Sequence, residues 1–181
     1  MTDTIIAAIV FGTMSIEAAR AARNERAQLA RGGVEARGDV YRVMRVVYPL
    51  AFLAMLAEGF ARGGPPSPLL AAAGAAVFAA AKGLKWWAIV SLGPAWTFRV
   101  IVVPGARLVT RGPYRWLRHP NYVGVIGELA GVALMAGAPV SGVAAVTVFG
   151  LLIAKRIAVE ERALDATRKA SRTSKRTGIR D

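Results

Sequence analysis

The chain has 181 residues, 55% of them hydrophobic, with a mean hydropathy of +0.42 and a formal net charge of +13. In soluble domains, hydrophobic residues and glycine together make up roughly 45–50% of the chain. Here the hydrophobic residues alone exceed that share, and the 19 glycines add to it. A composition this apolar excludes a disordered chain and argues against a soluble domain. The sequence has no cysteine, so it forms neither a disulfide nor a thiolate metal site, and we predict no metal site.

Long uncharged runs separate blocks of charge along the chain. A helix that crosses a hydrocarbon core of about 30 Å needs roughly 20 mostly apolar residues. On that criterion we place five spans, near residues 4–20, 44–61, 66–90, 121–138 and 140–157. The first span contains Glu17, so an interfacial helix is also possible there. The glycines, proline and serine at 137–142 suit a tight hairpin between the last two spans. The predicted fold class is an all-α integral membrane protein with about five transmembrane helices.

The distribution of lysine and arginine predicts the orientation of these helices. Basic residues are concentrated at 20–45, at 82–118 and after 155, whereas the 62–67 connection carries only Arg62 and the 138–140 connection carries none. Because cytosolic loops carry an excess of Lys and Arg, we predict that the N-terminus lies outside and the C-terminus inside. The net charge then reflects topology and contact with anionic lipid headgroups, and no nucleic-acid partner is expected.

Four further side chains stand out because of their predicted depth in the membrane. Trp86, Trp87 and Trp96 lie near the predicted cytosolic boundary, where we expect them to anchor the helices at the interface. Glu128 lies inside the fourth predicted span. An ionisable group at that depth is costly and is by default a functional hypothesis.

The most informative stretch is Gly-Pro-Tyr-Arg-Trp-Leu-Arg-His-Pro-Asn-Tyr-Val-Gly at 112–124, where the fourth span begins. Pro120 has the fixed φ that suits a first helical turn. His119 therefore lies at or beside the N-cap, where free N–H groups and the positive helix end favour an anion. Gly124 and Glu128 share one helix face by their spacing. Taken one at a time, these residues also fit a helix cap and close helix packing.

The order of these residues resembles the signature of the isoprenylcysteine carboxyl methyltransferase and phospholipid methyltransferase superfamily, which runs Gly-Pro-Tyr, a short spacer and Arg-His-Pro-x-Tyr-x-Gly. The segments at 92–105 and 23–35 are similar to bacterial members that methylate alkylresorcinols and alkylpyrones. A Glu-Glu pair, Glu160 and Glu161, is expected on a separate helix after the last predicted span, as in the family. By spacing alone, Arg156 and Glu160 would form a surface ion pair four residues apart.

The resemblance implies one membrane-embedded methyltransferase domain over residues 1–164, with its catalytic half at 86–164, in the bacterial cytoplasmic membrane. It implies S-adenosylmethionine as the cofactor, bound in a cytosolic pocket between the Arg-His-Pro motif and the Glu-Glu helix. Carried over by position, the cofactor-binding residues are Tyr114, Arg118, His119, Pro120, Tyr122, Gly124, Glu160 and Glu161. Aromatic faces suit the sulfonium, while Arg suits the carboxylate of the cofactor and Glu its ammonium.

The segment 165–181 departs from the family pattern because it has no aromatic residue, and we expect a basic, flexible tail there. The predicted activity is methyl transfer to an oxygen nucleophile on a lipophilic acceptor that enters from the bilayer. An alkylphenol or alkylpyrone hydroxyl is favoured over a prenylcysteine-type carboxylate. A phenol with a pKa near that of Tyr, about 10, needs a base, and His119, Glu128 and Glu160 are the unranked catalytic candidates.

Three alternative functions stay open on the sequence. The first is phospholipid N-methylation. The second is an NADPH-dependent membrane reductase of the sterol-reductase type, whose Arg-His-Pro-x-Tyr motif is similar. The third is a non-catalytic membrane scaffold that keeps the motif as part of its fold. The sequence does not indicate an oligomeric state.

Overall fold

The computed structural model describes the backbone of residues 2–177 apart from positions 66 and 107, and the side chains of residues 4–166 with the same two gaps. The described part contains the α-helices α1 (Thr2–Ala30), α2 (Tyr41–Ala61), α3 (Pro68–Leu92), α4 (Pro120–Ala136) and α5 (Pro139–Thr177). All except α4 contain a segment long and apolar enough to cross a membrane. Helix α4 has 17 residues and is about 26 Å long at 1.5 Å per residue. The chain is therefore an all-α integral membrane protein, as predicted.

Two helices run well past the predicted spans. Helix α1 continues to Ala30 instead of ending near residue 20, and α5 continues without a break to Thr177. The placement of Glu160 on a separate helix after the last span was wrong, because neither glycine nor proline interrupts residues 151–177. The predicted tail is helical as far as Thr177 and its last four positions lie outside the described residues, so its flexibility stays a prediction.

Helices α4 and α5 form the predicted tight hairpin. Gly137 ends α4 with a φ of 67°, in the left-handed region that glycine adopts without strain. Glu58, near the end of α2, caps α5 by accepting hydrogen bonds from the backbone N–H groups of Val140 and Ser141 at 3.1 and 2.7 Å. These bonds attach the start of α5 to the end of α2.

Helix α4 packs against α3 on one side and against α2 and α5 on the other. Glycines allow the close approach to α3: a Cβ added at Gly131 would lie 2.8 Å from the Cα of Phe78, and one added at Gly124 would lie 2.8 Å from the Cβ of Lys85. Buried apolar side chains of α2, α4 and α5 pack together in one core cluster; they include Phe52, Met55, Leu129, Val132 and Phe149. The site described below lies at the end of the bundle where α4 begins.

A short antiparallel sheet orders the two long connections at that end. Strand β1 (Val34–Glu35) pairs with β2 (Ile101–Val102), with Val34 opposite Val102. Asp39 accepts a hydrogen bond from the backbone N–H of Val100 at 2.9 Å. Strands of two residues are too short to show a periodic pattern, so the sequence did not predict them. They hold the connection between α3 and α4 against the start of α2.

Candidate functional site

A cavity of about 810 Å³ lies among the five helices and the connection that precedes α4. Six of the eight predicted cofactor-binding residues line it: Tyr114, Arg118, His119, Tyr122, Glu160 and Glu161. A second cavity, of about 870 Å³, lies beside the α4–α5 hairpin and is lined by none of the predicted site residues. The first cavity is therefore the candidate functional site.

The start of α4 and the middle of α5 meet at one corner of this cavity. The rings of His119 and Tyr122 are stacked, with centroids 5.5 Å apart and planes at 22°. The Tyr122 hydroxyl donates to Glu160 Oε2 at 3.1 Å, and His119 Nδ1 lies 3.8 Å from the same oxygen. Tyr122 and His119 precede Glu160 by 38 and 41 positions in the sequence. The fold brings the three side chains together in one polar and aromatic corner.

Opposite charges line the outer rim of the same corner. Glu161 Oε1 lies 3.8 Å from the guanidinium of Arg118 and 3.9 Å from His119 Nε2. The Arg118 side chain is 89% exposed, so this pair contributes little to folding stability. Both groups are free to turn towards a charged ligand.

Tyr114 lies on the 3-10 turn Gly112–Arg115 and lines the cavity. Burial raises the pKa of its phenol above the ordinary value, and the negative charge of Glu160 raises it further. The Tyr114 hydroxyl therefore stays protonated at neutral pH. It can donate a hydrogen bond to a ligand, but it cannot act as a base.

The structure does not bring Pro120 and Gly124 into the cavity wall. Pro120 is fully buried as the first residue of α4. Gly124 faces α3, where an added Cβ would also lie 3.0 Å from the backbone oxygen of Ala81. These two residues begin and pack the helix that carries His119 and Tyr122, and they do not line the space a ligand would occupy.

Arg156 is buried, and the predicted surface ion pair with Glu160 is wrong. Its guanidinium forms an ion pair with Asp39 at 2.8 Å and donates to the carbonyl of Phe98. Its Nε donates to the Tyr122 hydroxyl at 2.9 Å. Since Tyr122 in turn donates to Glu160, Arg156 holds that phenol in position from behind the cavity corner. Spacing within one helix could not reveal partners contributed by three other segments.

Glu128 lies behind the cavity wall in a cluster of buried charges. Its carboxylate lies 2.8 Å from Lys82 Nζ and 3.2 Å from Lys85 Nζ, and it accepts from the Tyr48 hydroxyl at 2.5 Å. The Glu17 carboxylate lies 3.2 Å from Lys82 Nζ and 2.6 Å from Lys85 Nζ. We name these five residues the buried charge cluster. Glu17, Tyr48 and Lys85 line the cavity, whereas Glu128 and Lys82 do not.

The sequence predicted a functional role for only one member of this cluster. Glu17 carries the same signal as Glu128, since both are ionisable groups inside predicted spans. Lys82 and Lys85 also lie within the predicted third span, and their spacing of three places them on one helix face. Tyr48 has no distinguishing pattern. Applying the rule for ionisable groups to every span would have found all four charges.

Trp96 is a buried wall residue, and its predicted place in an interfacial belt is wrong. It is 3% exposed, packs edge-on against Phe98 with ring centroids 5.2 Å apart, and lines the cavity. Its indole N–H points to Asn121 Oδ1 at 3.4 Å. Trp87 is 47% exposed and is free to meet lipid. The depth in the membrane predicted from the sequence is similar for Trp87 and Trp96, so it did not distinguish the buried residue from the exposed one. Trp96 is buried because the loop after α3 folds back over the cavity.

Comparison with known proteins identifies the family to which the chain is similar. The sequence profile of the isoprenylcysteine carboxyl methyltransferase family matches residues 73–166. The chain is 32% identical over 160 residues to uncharacterized protein YpbQ of Bacillus subtilis, covering 88% of this chain and 95% of that one. It is 24% identical over 168 residues to an uncharacterized protein of Haemophilus influenzae, covering 91% and 93%. No solved structure matches the chain.

Proposed function

Because the chain belongs to the isoprenylcysteine carboxyl methyltransferase family, we propose that it transfers a methyl group from S-adenosylmethionine to an oxygen nucleophile on a lipophilic acceptor. Membership of this family makes the chain a membrane methyltransferase. The finer assignment is supported by one observation above all: the Arg-His-Pro start of α4 and the Glu-Glu pair of α5 share one corner of a large cavity.

The side chains at that corner suit the charges of S-adenosylmethionine. When bound, this cofactor supplies a methyl group activated by its positively charged sulfur. Arg118 would hold its carboxylate, and Glu160 and Glu161 would hold its ammonium group. The rings of Tyr114 and Tyr122 would face its sulfonium or its adenine. Acidic, basic and aromatic groups are all present on this wall, so the residues fit the cofactor.

The protein's own task in such a transfer is alignment and exclusion of water. Tyr122 is held between Arg156 and Glu160 at 2.9 and 3.1 Å, so its ring is fixed on the cavity wall. Trp96 and Phe98 close the side formed by the connection before α4. The corner formed by His119, Tyr122 and Glu160 is therefore preorganised on the side of α4 and α5. We place the cofactor there and name it the cofactor corner.

Apolar side chains on the remaining wall support a lipophilic acceptor. They include Met14 of α1, Met44 and Pro49 of α2, and Phe149 of α5. We propose that an acceptor with a hydrocarbon tail reaches this part of the cavity from the bilayer, while the cofactor enters from the cytosol. An alkylphenol, an alkylpyrone or a prenylcysteine-type carboxylate would each present its oxygen in this way.

Binding of S-adenosylhomocysteine to the purified protein tests the cofactor assignment. We expect His119→Ala and Glu160→Gln each to weaken binding about 10-fold, which corresponds to about 1.4 kcal/mol and is typical for a hydrogen bond to a charged group. Isothermal titration calorimetry in detergent measures the affinity. Glu58→Gln is the matched control, since Glu58 lies at the far end of α2 and does not line the cavity.

The same preparation distinguishes the competing functions. Binding of NADPH in place of S-adenosylhomocysteine would indicate a reductase of the sterol-reductase type, and binding of neither would indicate a scaffold. Transfer of a labelled methyl group to a phospholipid amine, rather than to an oxygen acceptor, would identify an N-methyltransferase. Equal affinity in the two site variants and in Glu58→Gln would contradict the site assignment.

A further inference from the structure

Four helices contribute to the buried charge cluster. Glu17 comes from α1, Tyr48 from α2, Lys82 and Lys85 from α3, and Glu128 from α4. Two carboxylates face two ammonium groups, so the formal charges cancel. Such buried pairs are often no more stabilising than apolar side chains of the same volume, and ionisable groups within spans are rare outside functional sites. The cluster therefore calls for a chemical explanation that the cofactor corner does not supply.

The cluster faces the part of the cavity next to the cofactor corner, since Lys85 lies against Gly124, two residues after Tyr122 on α4. Tyr48 packs against Phe149, with ring centroids 4.9 Å apart. On α5, Phe149 precedes Glu160 by 11 residues, which separates them by about 16 Å along the helix axis. Met14 and Met44 also line the cavity. The acceptor end of the cavity thus has apolar walls and a buried polar face, formed by Glu17, Tyr48 and Lys85, while the exposed Arg45 of α2 also lines the cavity.

Hydrogen-bonding capacity remains on that polar face. An ammonium group has three N–H donors, and among the described residues Lys85 contacts two carboxylates, those of Glu17 and Glu128. The third N–H has no carboxylate partner among these residues. The ammonium also lies 5.5 Å from the centroid of the Tyr48 ring, a weaker contact that a ligand oxygen can replace. The Tyr48 hydroxyl uses its proton on Glu128, which leaves its oxygen able to accept.

We propose that this polar face binds the hydroxyl group of the methyl acceptor, with Glu17 as the proton acceptor and Lys85 as a donor to the same oxygen. The inference rests on the proposed methyltransferase function and narrows its acceptor to a neutral, acidic hydroxyl such as that of an alkylphenol or an enol. A neutral hydroxyl must lose its proton during the transfer, and Glu17 supplies the proton acceptor for that step. An acceptor carboxylate is already ionised at neutral pH, so it would leave Glu17 without a role.

The reaction balances without any further reagent. The acceptor oxygen forms a bond to the methyl carbon while the carbon–sulfur bond breaks, and that bond's electron pair remains on sulfur. The hydroxyl proton passes to the Glu17 carboxylate and leaves later through the cavity to water. A phenol with a pKa of about 10 is protonated at neutral pH, so the proton must be removed as the new bond forms. Lys85 stabilises the negative charge that develops on oxygen.

Transfer to two acceptors of different acidity tests this role for Glu17. The acceptors are an alkylphenol and an alkylated nitrophenol of equal chain length, the second already ionised at mildly alkaline pH. We expect Glu17→Gln to slow labelled methyl transfer to the alkylphenol about 100-fold, as loss of a general base does, and to change transfer to the nitrophenol by less than about 5-fold. Affinity for S-adenosylhomocysteine should be unchanged.

Two further variants control for folding. Glu17→Gln leaves one lysine charge unbalanced, so the double variant Glu17→Gln with Lys82→Gln restores a neutral cluster and should show the same dependence on acceptor acidity. Glu58→Gln should transfer to both acceptors at the rate of the unaltered protein. Equal losses for both acceptors, or no loss for either, would overturn the role of Glu17. An unaltered protein that does not bind S-adenosylhomocysteine would instead overturn the proposed function, and this inference with it.

Discussion

Arg156 connects the candidate site to the rest of the protein. Its side chain is 7% exposed and that of its partner Asp39 is 4% exposed. Asp39 also accepts hydrogen bonds from the backbone N–H groups of Tyr41 and Val100, at 3.0 and 2.9 Å. One guanidinium thus joins α5 to the start of α2 and, through Tyr122, to α4. Removing it affects both the fold and the cavity corner.

Replacing Arg156 with Gln should destabilise the protein by about 3 kcal/mol, because the buried Asp39 carboxylate loses its cation. It should also weaken binding of S-adenosylhomocysteine, because Tyr122 loses one of its two hydrogen-bond partners. Thermal unfolding in detergent and calorimetry measure the two effects. Arg162→Gln is the control on the same helix: Arg162 is exposed and bonds only to the Ala158 carbonyl among the described residues, so we expect a change within about 0.5 kcal/mol.

Adding Asp39→Asn to the Arg156→Gln variant should recover part of the lost stability, since the uncompensated carboxylate is then gone. A loss of the same size from Arg162→Gln would contradict the assignment of Arg156 as a buried link. Equal stability of the single and double variants would show that the Asp39 charge is not what makes the loss of Arg156 costly.

Sequence reasoning found some residues of the site and missed others for a common reason. The motif at 112–124 identified His119 and Tyr122, since their types and spacing are local properties. The partners of Arg156 and the cluster around Glu17 come from several helices. Their contacts depend on the rotation of each helix about its axis, which hydropathy restricts only to a broad face.

At the scale of elements, small residues determine how α3 and α4 pack. Gly131 lies against the backbone of Phe78, and an added Cβ would come within 2.7 Å of its nitrogen. Gly124 and Gly127 face Lys85 and Ala81 in the same interface. Because α3 carries Lys85 and α4 carries Glu128, this close packing also brings the charges of the cluster within contact distance.

Substituting Gly131 with Ala should lower stability by about 1–3 kcal/mol, because the added methyl group clashes with the α3 backbone and the two helices must move apart. Gly150→Ala in α5 is the matched control. An added Cβ at Gly150 has nothing within 4 Å, and alanine favours a helix over glycine by about 1 kcal/mol, so stability should hold or rise. The midpoint of thermal unfolding in detergent measures both. A fall of equal size in the two variants would contradict the packing described here.

For the whole molecule, the placement of charge agrees with a bundle that has one polar and one apolar end. The corner formed by His119, Tyr122 and Glu160 lies at the same end as the two-stranded sheet and the connection before α4. The basic segments 20–45 and 82–118 belong to this end. The opposite end has the α4–α5 hairpin and the connection that carries Arg62. The distribution of Lys and Arg predicts that the first end faces the cytosol.

Reporter fusions test this topology. A reporter inserted after Gly64 should be active outside the cytosol and one fused to the C-terminus should be active inside, because the excess of basic residues holds the cofactor end in the cytosol. Two reporters are used together, one active only in the cytosol and one active only outside it, so that the location of both fusion sites is measured in the same cells. Location of both fusions on one side would contradict the predicted orientation and would leave the cofactor corner on the wrong side for a cytosolic ligand.

Composition and spacing along the chain were enough to establish a helical membrane protein, the hairpin between α4 and α5, and the helix start that carries His119. These features depend on neighbouring residues and on the length of apolar runs. The continuous course of α5, the burial of Arg156 and Trp96, and the meeting of Glu17, Lys85 and Glu128 depend on packing between distant segments. Side chains far apart in the sequence become partners only when helix rotation and close approach have been established, and no local pattern records those two quantities.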